Sequence, residues 1–135
     1  LVSDAKALES SGAFAILVEA MPSNAAKRIV NNVEVPILGI GAGLDVDGQL
    51  LILHDMLGLY PNFRPKFAKS FIPHILDEMN NSLKSQNDIL NFGRSTRKDG
   101  VYELSRLAIN QYVSEVKNRV FPDENYTYSS AKTKN

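Results

Sequence analysis

Glu19 closes an otherwise unbroken apolar run, Phe14-Ala15-Ile16-Leu17-Val18, and is followed by Ala20-Met21-Pro22. The pattern is that of a buried strand carrying one ionisable group to its own carboxyl end. Open and closed α/β sheets place their chemistry at that end, where loops complete a crevice. An apolar wall of Leu17, Val18 and Met21 is expected around the carboxylate. The competing reading is structural, because an acidic group also favours the amino terminus of the helix expected to start near Pro22.

Other polar residues invite chemistry less directly. His54 and Asp55 are adjacent, so on a strand they would face opposite ways. One orienting a loop and the other capping a helix is the simpler expectation. Asp45 and Asp47 flank a turn that Gly48 accounts for without a cation. His74 follows Pro73 and reads as a packing or surface residue. Gly39-Ile40-Gly41-Ala42-Gly43 lacks the third glycine of a dinucleotide fingerprint, since Leu44 stands where it would fall, and no P-loop lysine follows. Those glycines leave two readings open: backbone that a substrate can approach closely, or plain tight-turn geometry.

The elements that must position these groups are short. Phe14–Val18, Ile37–Ile40 and Leu50–Leu53 are uniformly apolar, which predicts parallel strands covered on both faces by helical crossovers. Residues 5–11 predict the end of a helix with Gly12 just past it, and residues 25–30 predict a second helix after a first-turn Pro22. Tyr60–Pro65 predicts an extended loop, and Lys66–Met79 a helix interrupted or restarted near Pro73. Residues 80–100 are polar, with at most one short helix expected. Leu104, Leu107, Ala108, Tyr112, Val116 and Val120 then recur at helical spacing through residues 101–121, and a polar, mobile tail is expected after Pro122.

Fifteen basic and fifteen acidic residues cancel, so no global field recruits nucleic acid or an anionic membrane, and neither partner is expected. The Arg94–Lys98 cluster reads as a solvated loop. Zero cysteines remove disulfides, thiolate metal sites and a cysteine nucleophile together, and fit a reducing compartment. No apolar run approaches the ~20 residues of a membrane span. Leu1 is not methionine and the chain opens on a helix with no strand before it, so the expectation is a carboxy-terminal portion of a larger protein.

Val18-Glu19-Ala20-Met21-Pro22, Ile40-Gly41-Ala42-Gly43, Asp47-Gly48-Gln49, His54-Asp55-Met56-Leu57-Gly58-Leu59 and Pro65-Lys66-Phe67-Ala68-Lys69 occur in one order at short spacings. Together they resemble the ketopantoate hydroxymethyltransferase family, with the likeness resuming over Asn110–Tyr126. The resemblance implies the carboxy-terminal part of a (β/α)8 barrel, about strands six to eight, in a homo-oligomer, by family a decamer. It divides the chain into barrel residues 1–76, a polar insertion at 77–100, an amphipathic helix at 101–122 and a mobile tail at 123–135. The implied reaction moves a hydroxymethyl group from 5,10-methylenetetrahydrofolate to 3-methyl-2-oxobutanoate, with Mg2+ holding the keto acid, on the way to pantothenate and coenzyme A. The metal- and keto-acid-binding residues fall on earlier strands, so none is assigned here. Glu19 matches the family's proton acceptor, and the implied compartment is the cytoplasm, or the mitochondrion in a eukaryotic cell.

The implied role suits the chemistry: making a carbon–carbon bond at C3 of a 2-oxo acid requires loss of a C3 proton, which a nearby carboxylate can take. Two rival functions stand beside it. One is a related Mg2+-dependent barrel lyase acting on 2-oxo acids. The other is a non-catalytic α/β module that uses the Gly39–Gly43 loop to hold an anion.

Overall fold

The computed structural model describes residues 1–60, 62–82 and 86–129, with side chains outside 79–99. Its centre is a parallel sheet of β1 (Ile16–Glu19), β2 (Ile37–Ile40) and β3 (Gly48–Gln49), in that order. Two helices flank β1 in sequence, α1 (Val2–Ser10) and α2 (Ser23–Val30). After β3 come α3 (Leu53–Leu57), α4 (Phe71–Ser82), α5 (Gln86–Lys117) and a 3-10 turn at Glu124–Tyr126.

Period-2 alternation decides which sheet face is covered. Ile16, Val18 and Ile37 point to one side and meet Ala26 and Ile29 of α2 and Ala5 of α1. Ala26 and Ile29 lie three apart on α2, whose last turn carries Lys27 and Arg28, the sign that suits a helix carboxyl end. Leu17 and Leu38, register partners on the opposite face, stay 53 % and 38 % exposed. The expectation of strands covered on both faces therefore holds only in part: Ile40, on that same face, is buried against Phe67 and Ala68, while the end with Leu17 and Leu38 stays open.

The third strand also moves. Pairing occurs at Gly48–Gln49, not Leu50–Leu53, because Asp47 pins the register two residues early. Its carboxylate accepts the Ile37 N–H at 2.8 Å while its own N–H donates to the Ile37 carbonyl at 2.9 Å. Leu50 N–H still donates to the Gly39 carbonyl, and the apolar run then turns into α3. Leu51 is used as a packing residue against the α4–α5 core and Phe67.

Pro22 is the N-cap of α2 instead of its first-turn residue, and Pro73 lies in the first turn of α4, which starts at Phe71 and not at Lys66. Ser70 directly precedes α4, where a serine normally accepts an N–H from the first turn. The third helical position is Pro73, which has none to give. Among the described residues the buried Ser70 hydroxyl has no hydrogen-bond partner.

α5 begins at Gln86, far earlier than expected, so the Arg94–Lys98 segment is helical and not a loop. Its first half has too few apolar residues to announce a helical period. The second half packs, with Ala108 buried and Leu104 and Tyr112 beside Met56, Phe71 and Ile75. Val120 falls past the helix end and is 56 % exposed, so it does not extend the stripe. Residues 121–129 also differ from the expected mobile tail. Phe121 is buried with its ring centroid 6.1 Å from Phe71, 5.9 Å from Tyr112 and 5.8 Å from Tyr126. Tyr128 bridges to Pro22 and packs edge-on against Phe67. Residues 130–135 of that expected tail lie outside the described residues.

Candidate active site

Glu19 is the last residue of β1, exposed, on the open face with Leu17 and in register with Ile40 of β2. The expected wall is not assembled around it, since Val18 points the other way and Leu17 is itself exposed. Among the described residues no side chain hydrogen-bonds the Glu19 carboxylate. It does not cap α2 either, for α2 has no side-chain cap and its N-cap is Pro22.

The rim beside Glu19 is built by β2 and the loop after it. Gly41 has φ +66°, and a Cβ there would lie 2.5 Å from the Phe67 ring. A Cβ on Gly43 would lie 2.5 Å from the Ser23 Cβ, and one on Gly39 would meet Val46 at 2.9 Å. The space that these glycines leave is filled by the protein's own side chains, a packing account that stands beside the two readings given for the loop. Gln49 donates to the Gly43 carbonyl at 2.8 Å, and Tyr112 donates to the Gln49 carbonyl at 2.8 Å, tying α5 to the loop. Burial pushes the Tyr112 phenol above the ordinary tyrosine range.

The other singled-out residues do not join Glu19. Asp47 pins β2, and Asp45 pairs with Lys27 at 3.3 Å and faces Arg119 at 3.9 Å. His54 and Asp55 sit on α3, whose N-cap is Ile52 with no side-chain bond, so neither caps it as expected. They act through their backbone, accepting from Leu59 and Gly58 at the helix end. His74 is an exposed residue of α4.

A cleft of about 760 Å³ opens at the same end of the sheet, between Ser23, Leu44 and the segment carrying Arg119 and Tyr128. Lys66 reaches across it to the Thr127 carbonyl. Its charges are mixed, with Asp45, Asp123 and Glu124 beside the two bases. Sequence reasoning missed this wall by treating everything after Pro122 as solvated. The aromatic residues Phe121, Tyr126 and Tyr128 in a polar stretch are the signal that points to it.

Among the described residues no three His, Asp or Glu side chains converge as metal ligands, and Glu19 is the lone carboxylate on its strand. No described helix is long and apolar enough to cross a membrane.

The family model described as ketopantoate hydroxymethyltransferase matches residues 1–91. Proteins named 3-methyl-2-oxobutanoate hydroxymethyltransferase from Campylobacter curvus, Campylobacter concisus and Clostridium kluyveri are 41 %, 40 % and 38 % identical over 128 residues, 95 % of this chain. The chain spans 38 %, 37 % and 36 % of the length of those relatives. A match over most of its residues, at that identity and with Glu19 in the matched region, means that the chain belongs to the ketopantoate hydroxymethyltransferase family.

Proposed function

We propose that this chain supplies the later strands of a (β/α)8 barrel that transfers a hydroxymethyl group from 5,10-methylenetetrahydrofolate to 3-methyl-2-oxobutanoate. The product is 2-dehydropantoate, a precursor of pantothenate and coenzyme A. The observation that carries the reading is the place of Glu19: exposed at the carboxyl end of a parallel strand, on the sheet face where Leu17 and Leu38 stay exposed, in a chain of this family. In a closed barrel the face with Leu17, Glu19 and Leu38 would turn inward, and the covered face would carry the helices.

Glu19 is the proton acceptor in this reading. Its carboxylate takes the C3 proton of the keto acid and the C–H electron pair becomes the enolate. C3 bonds to the methylene carbon as one of that carbon's two bonds to folate nitrogen breaks. Water then replaces the second nitrogen, supplying the hydroxyl and releasing tetrahydrofolate with the two protons on its nitrogens. When bound, Mg2+ supplies positive charge to the enolate oxygen. Its ligands, like those of the keto acid, belong to parts of the enzyme outside this chain. This chain alone is accordingly inactive, and the working form is a cytoplasmic homo-oligomer, by family a decamer.

The test is a transfer assay on the intact enzyme, meaning this chain with the remaining length its relatives carry. Formation of 2-dehydropantoate that requires the folate supports the reading. Turnover of the keto acid without folate points to a lyase, and no turnover of either kind defeats the enzymatic reading.

A further inference from the structure

Two residues other than glycine have positive φ among those described, Arg119 at +56° and Ala20 at +49°. Arg119 is explained by the end of α5. Its N–H donates to the Val116 carbonyl at 3.1 Å and the next N–H, of Val120, to the Glu115 carbonyl at 2.8 Å, the paired bonds with which helices close in a left-handed residue. Ala20 ends no helix. It follows Glu19 directly, and its side chain is exposed, so no buried packing accounts for the conformation.

We propose that Ala20 is a positioning residue for Glu19: its left-handed turn halts β1 at the rim, so that Glu19 is the last strand residue and no later side chain of the strand shares its face. This rests on the reading of Glu19 as proton acceptor. The turn is held on both sides by β2, because Ala20 N–H donates to the Ile40 carbonyl at 2.9 Å and Met21 N–H to the Gly41 carbonyl at 3.1 Å. Gly41, next after Glu19's partner Ile40, is left-handed too, so the two strands turn at one level. Had β1 run on, residue 21 would follow Glu19 on the same face and crowd it. Since no side chain among the described residues bonds the carboxylate, the strand end that the turn at residue 20 holds in place is what this chain offers to position it. Proton transfer needs that positioning, because a base works only within hydrogen-bond reach of the proton it removes.

The experiment measures C3 proton exchange of 3-methyl-2-oxobutanoate in heavy water with the intact enzyme. Ala20→Asn, which tolerates the left-handed region, should keep the rate within about threefold. Ala20→Val, whose branched Cβ opposes it, should lower the rate constant by about 10²-fold with KM for the keto acid unchanged. In a Glu19→Gln background Ala20→Val should lower exchange no further. Parental exchange in Ala20→Val, or an equal loss in both backgrounds, overturns the inference while leaving Glu19 as the base. Parental exchange in Glu19→Gln instead removes the reading beneath it. If Ala20→Val does not fold, the parent decides by amide exchange: the Ala20 and Met21 amides should be protected, and rapid exchange at both overturns the clamped turn.

Discussion

The Lys69 ammonium meets the Glu115 carboxylate at 2.7 Å with the two side chains only 12 % and 14 % exposed. Both carboxylate oxygens take a bond from Lys69, Gln111 donates to one of them, and the ammonium lies 4.7 Å from the centre of the Phe71 ring. The pair ties the segment before α4 to the end of α5, which is where the chain turns back toward the rim. Removing one partner strands the other charge in a largely dry site. Lys69→Ala should therefore destabilise the enzyme by roughly 2–4 kcal/mol, more than Lys69→Ala does in a Glu115→Gln background. Denaturant titration of the single and double variants measures the difference, and additive losses would show that the pair is not coupled.

Gly41 faces two obstacles to any side chain. Its φ of +66° disfavours a Cβ, and that Cβ would lie 2.5 Å from the Phe67 ring and 2.8 Å from the Phe67 Cβ. Gly41→Ala should cost roughly 2–4 kcal/mol. Phe67→Ala should rescue only part of it, since the Phe67 Cβ and the positive φ both remain. Melting temperatures of the two single variants and the double variant check this, with full rescue contradicting it.

Tyr112 gives the fold an alkaline limit. Its phenol titrates higher folded than unfolded because burial disfavours the phenolate. The folded state thus holds the proton more tightly, the associated stability is complete below the unfolded tyrosine range, and it is lost as pH rises through the folded value. Melting temperature measured across alkaline pH should fall less steeply in Tyr112→Phe than in the parent. Identical slopes would assign the alkaline loss to other groups.

Much of this was readable in the chain and some was not. The first two strands, α2 and the placement of Glu19 and Gly41 on one rim follow from apolar runs ending in a carboxylate and a glycine, signals local to a few residues. The third strand was misplaced because Leu50–Leu53 is as apolar as a strand, while its register is fixed by Asp47 reaching Ile37, a bond that composition does not announce. The start of α5 was hidden because that stretch lacks an apolar stripe. The folded-back segment was hidden because Phe121 finds its partners on α4 and α5, far away in sequence. Ala20 carries no sequence signal at all: alanine is not among the residues, Gly, Asn and Asp, that mark a left-handed turn.

The open face makes a prediction about the chain by itself. Leu17 and Leu38 are solvent-exposed, and among the described residues no strand pairs with the outer edge of β1. Unpaired strand edges and exposed apolar patches drive association. The isolated chain should self-associate in sedimentation experiments, and Leu17→Lys should shift it toward monomer. A clean monomer with a cooperative melting transition in the unaltered chain would contradict this.

The central claim is that Glu19 removes the C3 proton, and one exchange measurement isolates that step from folate chemistry. In heavy water with Mg2+ and 3-methyl-2-oxobutanoate but no folate, the intact enzyme should replace the C3 proton with deuterium. Glu19→Gln, which keeps size and polarity but cannot accept the proton, should slow that replacement by ~10²- to 10⁴-fold while keto-acid binding stays close to the parent's. Exchange at the parental rate in Glu19→Gln would contradict the account and leave Glu19 without the role of base.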